Sequence, residues 1–271
     1  MISRHVFVPL FGALFGALAF VAIVGLGGGA AAQVAPADPS GDLAGAFQIV
    51  DCRTHDAAQE KADQEVASKA LDLMQAHDIA KLNEMMPALK AALGHAPDVP
   101  VATEKCGDTV VVYTEDLTKF LALSAYVMAP QSPLKGSKVE QRSPLPYPLL
   151  AFIIGWTDYE NQDFPAAHEV YVKGLKNDPD NHALIMEDTL TLAELGRSEE
   201  ALTQLDAYMT RNTDLPDVLK AGALRKRGYV LVELHRWDEA EKAYSDSLIA
   251  EPGNKIAKGE LEYIKQNRPS K

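Results

Sequence analysis

Residues Gly155–Pro179 read GWTDYENQDFPAAHEVYVKGLKNDP. Gly155, Ala167 and Pro179 lie twelve residues apart. Gly228, Ala240 and Pro252 repeat that spacing, each seventy-three residues further on. Between the two sets, LAELGRSEEALTQL (Leu192–Leu205) has the same middle as ELHRWDEAEKAY (Glu233–Tyr244). Setting Ala201 on Ala167 gives a period of 34, and the longer offset is two such periods plus five residues. A segment recurring at this period is a supersecondary block that cannot bury its apolar face alone, so the blocks must stack.

The residue types fit paired helices. Gly155 with Ala167, and Gly228 with Ala240, let two backbones pack closely. Phe164 and Trp237 open the second helix, Tyr171, Leu205 and Tyr244 fill a later apolar position, and Pro179 and Pro252 end it, since proline cannot continue a helix. On these markers residues 148–254 resemble the tetratricopeptide repeat (TPR) family, whose unit is helix–turn–helix. Three units are read, 148–181, 182–215 and 221–254, with an insertion at Pro216–Lys220. Lys255–Asn267 reads as a closing helix over the last exposed apolar face. The middle unit departs from the pattern, with Thr189 in place of the small Gly and Thr213 in place of Pro. Asp188 and Arg227 stand at positions that are usually apolar.

The resemblance implies that the first helix of each pair lines a concave, partner-binding side. Removing its packing positions leaves Leu149, Phe152, Trp156, Tyr159 and Glu160 in the first unit. The second leaves Met186, Leu190 and Glu194, and the third Arg225, Tyr229 and Glu233. Aromatic side chains and Arg are common anchors at protein interfaces. The family's carboxylate clamp uses Lys and Asn at these positions, and neither is present, so an apolar or extended peptide is expected rather than a chaperone tail. The alternative is that Trp156 and Tyr159 pack in cis against the Pro-rich stretch or the N-terminal segment.

Residues 1–32 read as an export signal. Arg4 and His5 precede an uncharged run, Val6–Leu26, and Ala30-Ala31-Ala32 forms a small-residue exit. The run is also long enough to span a bilayer, and Gly12 with Gly16 forms G-x-x-x-G, so an uncleaved anchor is the competing reading. Both place the rest of the chain outside the cytoplasm: periplasmic or secreted in the first case, anchored to the inner membrane in the second. Residues 33–46, rich in Pro, Ala, Asp and Gly, read as a flexible tether.

Residues 47–129 read as a helical region with one bridge. Two cysteines, Cys52 and Cys106, are an even count, which in an exported chain reads as a disulfide. FQIVD before Cys52 and TVVVYTE after Cys106 are β-branched runs expected to pair antiparallel as a short two-stranded element. Asp56–Ala76, Ile79–Leu93 and Asp116–Ala129 are expected to be helical, the last capped by Asp116. Metal binding by Cys52, His55 and Cys106 lacks a fourth ligand at useful spacing. Residues 130–147, with four prolines from Pro130 to Pro146 and a fifth at Pro148, read as an extended linker.

The formal net charge is −12, which argues against a nucleic-acid partner, because phosphates repel an acidic surface. The chain lacks H-E-x-x-H, G-x-S-x-G, C-x-x-C and the P-loop pattern. No cofactor, metal or catalytic group is expected. The sequence therefore predicts a mostly all-α protein, a TPR-type α-solenoid preceded by a helical region with a small β element. Its expected role is a non-enzymatic scaffold binding a protein or peptide. The alternative is an enzyme with its site in 47–129 and the repeats as a docking platform.

Overall fold

A computed structural model describes residues 49–269. The export signal or anchor and the tether lie outside the described residues. Ten helices and four strands are present among those described. They are β1 (Ile49–Asp51), α1 (Ala57–Gln75), α2 (Ile79–Leu93), β2 (Thr103–Cys106), β3 (Thr109–Tyr113), α3 (Leu117–Met128) and β4 (Lys138–Arg142). The repeats follow as α4 (Tyr147–Glu160), α5 (Phe164–Asn177), α6 (His182–Glu194), α7 (Ser198–Arg211), α8 (Asp217–Glu233), α9 (Trp237–Ala250) and α10 (Lys255–Asn267).

The helices start where the sequence supplies caps. Asp56 accepts hydrogen bonds from the amides of Ala58 and Gln59, and Asp116 from those of Thr118 and Lys119. Asn181 and Asn254 cap α6 and α10 in the same way. The five extra residues at 216–220 extend the first helix of the third unit, so that α8 begins at Asp217, directly after Pro216.

The repeat begins earlier than its sequence markers. The residue joining the two helices of a pair has positive φ in each unit: Gln162 (62°), Gly196 (72°) and His235 (56°). His77, between α1 and α2, is the same, with φ 54°. All four turns carry one bonding pattern. The Gln162 amide donates to the Tyr159 carbonyl and the Asp163 amide to the Asp158 carbonyl, and His77 and Asp78 do likewise with Met74 and Leu73. This is the Schellman motif, which satisfies carbonyls left unpaired at a helix end. So α1–α2 is a fourth hairpin standing ahead of the three. Its Ala67, Ala70, Leu82 and Leu89 share one core with Leu150, Ile154, Trp156, Tyr171 and Leu184 of the repeats.

Residues 94–146 are thus an insertion between the first and second hairpins, and they carry most of a small sheet. The strand order is β1-β2-β3-β4. This differs from the expected two-stranded antiparallel pair. β1 runs parallel to β2, with Asp51 opposite Lys105, and the TVVVY run of β3 pairs with β2 and β4 instead. A parallel partner was available because Thr103–Cys106 folds back on β3 through Gly107, whose φ is 59°. β4 comes from KVEQR, inside the Pro-rich stretch. Val110 and Val112 face Leu123 and Val127 of α3, while Val111 and Tyr113 face Val101 and Leu145, the period of two that a strand imposes.

Cys52 and Cys106 are bonded, with Cα atoms 4.6 Å apart. The bridge follows from the β1–β2 register, which sets the two residues side by side at one end of the pair. The sulfurs and a Glu104 carboxylate oxygen lie within 4.8 Å of one another, but sulfurs joined to each other are not free as metal ligands. His55 turns its Nδ1 to the Arg53 carbonyl instead.

Candidate functional site

The packing between first and second helices is set by a ring in a gap. A Cβ added at Gly155 would stand 2.7 Å from Cδ1 and Cζ of Tyr171, so the ring fills the space that glycine leaves. Gly228 and Tyr244 form the same pair. The middle unit has Thr189 and Leu205 at these positions, both fully buried. The smaller side chain on α7 leaves room for the larger one on α6, which explains the departure at Thr189. The glycines therefore admit tyrosine rings from the partner helix.

The two charged departures are also satisfied. Asp188 is fully buried on α6 and accepts from His168 Nδ1 at 2.6 Å and from Gln204 Nε2 at 3.0 Å. His168 is thus a strut between α5 and α6. Burial pushes the Asp188 carboxyl above its ordinary range despite these bonds. Arg227 on α8 reaches Asp206 on α7, Nε to Oδ1 at 2.7 Å.

Neighbouring first helices, α4 with α6 and α6 with α8, pack on one another more closely than the second helices α5, α7 and α9 do. The first helices therefore form the inner wall of the curve. Counted from the positive-φ residue of each turn, the expected binding residues fall on shared positions. Six residues before it stand Trp156, Leu190 and Tyr229, and ten before it stand Phe152, Met186 and Arg225. Two before it stand Glu160, Glu194 and Glu233, one on each helix.

These residues do not all remain available. Trp156 is 2% exposed and sits edge-on to the His77 ring at 5.5 Å, held by the first hairpin. Met186 is buried against Leu205 and Tyr208. Both pack the structure instead of presenting an anchor, so for Trp156 the in-cis alternative holds. Arg225 is turned to Glu251. Leu149, Phe152, Tyr159, Glu160, Leu190, Tyr229 and Glu233 are half-buried, and Glu194 is exposed.

Glu187 and Lys226, which the sequence reading passed over, complete this wall. Lys226 Nζ lies 4.0 Å from Glu187 Oε1, while Glu187 Oε2 is buried and accepts no hydrogen bond. Burial pushes the Glu160 and Glu194 carboxyls above their ordinary range, with like charge adding to it from Glu187 and Glu233 respectively. Tyr229 donates a hydrogen bond to Glu194, which opposes the shift. Burial and the carboxylates of Glu194, Glu187 and Glu160 push the Tyr159 phenol up.

A second charged cluster lies on the sheet. Glu104 is fully buried and accepts from the Arg53 amide at 3.1 Å, from Arg53 Nε at 3.3 Å and from Tyr113 Oη at 2.6 Å. Arg53 also reaches Glu60 at 2.9 Å and the Tyr113 hydroxyl at 3.1 Å. Burial works against the Glu104 charge, but these donors outweigh it and hold the carboxyl below its ordinary range. Arg53, Glu104 and Tyr113 are bonded to one another, which describes a structural clasp between β1, α1 and the sheet.

Two surface depressions lie on the repeats. One, of about 490 Å³, is lined by Ala193, Gly196, Ser198 and Glu233. The other, of about 360 Å³, is lined by Asp206, Leu224, Arg227 and Asp246.

No protein-family profile and no curated protein matches the chain. Solved structures do. The first TPR of Spaghetti (RPAP3), bound to the HSP90 peptide SRMEEVD, is 25% identical with a TM-score of 0.40, over 44% of this chain and 90% of that one. The Sgt2 TPR domain from Aspergillus fumigatus is 18% identical with a TM-score of 0.41, over 45% and 80%. A tetratricopeptide repeat protein from Parabacteroides merdae is 17% identical with a TM-score of 0.46, over 76% and 61%. With helix pairs in register, shared turns and a closing helix, the fold of residues 147–267 is TPR-like.

Proposed function

We propose that this protein is a non-enzymatic interaction scaffold of the bacterial cell envelope, exported by its N-terminal segment, which docks a partner protein on the inner wall of α4, α6 and α8. One observation carries the reading: Tyr159, Leu190 and Tyr229, one from each first helix, are half-buried along that wall, the two tyrosines resting on the core beneath. Such side chains gain from being covered, and a row of them across three helices offers a partner one continuous strip. The Cys52–Cys106 bond supports a life outside the reducing cytoplasm. The committed pairing of Arg53, Glu104 and Tyr113 favours structure over catalysis in the N-terminal region.

The test is site-specific photocrosslinking in the native envelope. A crosslinker at Leu190 or Tyr229 should trap one partner, and one at Lys242 on the second helices should not. Equal trapping from both positions would defeat the assignment of this face.

A further inference from the structure

The three carboxylates of Glu160, Glu194 and Glu233 are placed against local physics. Each stands in the last turn of its helix, where the unpaired carbonyls make the dipole negative and favour a cation. None of the three helices has a basic residue there. The position recurs in all three units, so the charges form a column across the solenoid. Glu187 adds a fourth carboxylate, with one buried oxygen lacking a donor. Lys226 faces Glu187, Arg225 is turned to Glu251, and His77 stands by Glu160.

A second observation points to the same wall. Tyr171 is fully buried, yet its hydroxyl has no hydrogen-bond partner. Its ring lies across Gly155, with Cε1 nearest the missing Cβ and Cδ1 and Cζ to either side, and the hydroxyl feels the charge of Glu187 and Asp188 on α6. The Glu187 carboxylate oxygen can only accept, so it asks for a donor, and the Tyr171 hydroxyl beside it is likewise without a partner.

We infer that the inner wall of α4, α6 and α8 takes an extended, cationic segment of the partner, whose Lys or Arg side chains donate to the Glu160–Glu194–Glu233 column and to the Glu187–Tyr171 site. This rests on the inner wall being the partner surface. Neighbouring packed helices are about 8–10 Å apart. A polyproline-type strand advances about 3.1 Å per residue with three residues per turn, so every third side chain falls on one face about 9 Å along. The segment that matches the column therefore carries a basic residue at every third position. An acidic tail would meet four carboxylates instead.

The experiment uses fluorescence anisotropy on the purified protein with two labelled twelve-residue peptides of identical composition. One repeats Lys-Pro-Ala, and the other has its four lysines contiguous. The spaced peptide should bind at least fivefold more tightly than the clustered one. Glu160→Gln with Glu187→Gln and Glu194→Gln should weaken it at least tenfold. Glu65→Gln with Glu169→Gln and Glu199→Gln, which removes the same charge from exposed positions elsewhere, should change it less than twofold. Tyr171→Phe keeps the ring in the Gly155 gap and should weaken binding about threefold at unchanged melting temperature. Equal effects of the two triple variants, or no preference for spacing, would overturn the inference and leave simple attraction to an acidic protein. If the photocrosslinked partner is held at Leu190 and Tyr229 but is indifferent to the groove triple variant, the cationic segment is refuted while the docking face stands. If no partner is held there, both readings fall.

Discussion

The Tyr171 ring occupies the space that a side chain at position 155 would need, and Tyr244 does the same at Gly228. Substituting Gly155→Ala drives Cβ into the ring. The overpacking costs up to about 3 kcal/mol. Better helix propensity returns about 1 kcal/mol, leaving a net loss of about 1–2 kcal/mol in urea unfolding. The middle unit shows the compensating pair, so Gly155→Thr combined with Tyr171→Leu should be less damaging than the two single changes summed. A coupling of about 1 kcal/mol or more is expected from the double-mutant cycle. Simple additivity would show that ring and gap are independent.

Gln162 holds φ 62° in a turn whose counterpart in the next unit is Gly196. A non-glycine residue pays about 1 kcal/mol or more in this conformation, and glycine pays extra chain entropy on folding. Gln162→Gly should therefore stabilise by about 0.5 kcal/mol, read as a higher urea midpoint with unchanged slope. A lower midpoint would mean that the side chain contributes more than its backbone costs.

The Cys52–Cys106 bond closes a loop over a separation of 54 residues that contains the whole first hairpin. Chain-entropy arithmetic gives about 4 kcal/mol for a loop of that size. Cys52→Ser with Cys106→Ser should lower stability by about that amount and loosen α1–α2 first. Since that hairpin covers Trp156 through His77, its emission should shift to the red before the repeats unfold, in a Trp237→Phe background. A single concerted transition would refute the order of events.

Acid should act in opposite directions on the two halves. The Glu160, Glu194, Asp158 and Asp188 carboxyls are held above their ordinary range, each chiefly by burial. A raised carboxyl costs stability as pH rises through the interval between its unfolded and folded values, so mild acidification relieves the repeats. Glu104 is held low by Tyr113 and Arg53 in spite of burial. Its contribution is present above the ordinary carboxylate value and disappears as pH falls through the depressed one. Melting followed at Trp237 should hold or rise between pH 7 and about 5, while the sheet is lost below about pH 4. Glu104→Gln leaves Arg53 without its buried counter-charge and should cost about 3 kcal/mol at neutral pH. A neutral outcome would show that the clasp is replaceable.

The first and last of the three later units were legible because Gly, Ala and Pro carry their register in their chemistry, and the middle one, which keeps only Ala201, followed from the period of 34. The first hairpin was not legible, since it places Ala70 and Leu82 at those positions and ends on Gly94 without a proline. The feature all four hairpins share, a left-handed residue at the turn, is written with His, Gln, Gly and His, and backbone dihedrals leave no common letter. β4 was hidden because KVEQR is mostly polar and sits among prolines, where only the neighbouring β3 makes it a strand. The inner-wall positions were readable from the family register. Burial of Trp156 stood there only as the in-cis alternative, because no residue marks α1–α2 as a hairpin of the same kind.

The covalent link between positions 52 and 106 turns the first hairpin and its exit loop into a closed ring of chain. The connection after α2 is largely exposed, with Val99 at 51%. A protease that cuts there opens the ring without dividing the molecule: both pieces travel together on a gel until thiol reductant is added. A single nick in this exposed loop would leave the solenoid still covalently tied to the chain that precedes Cys52.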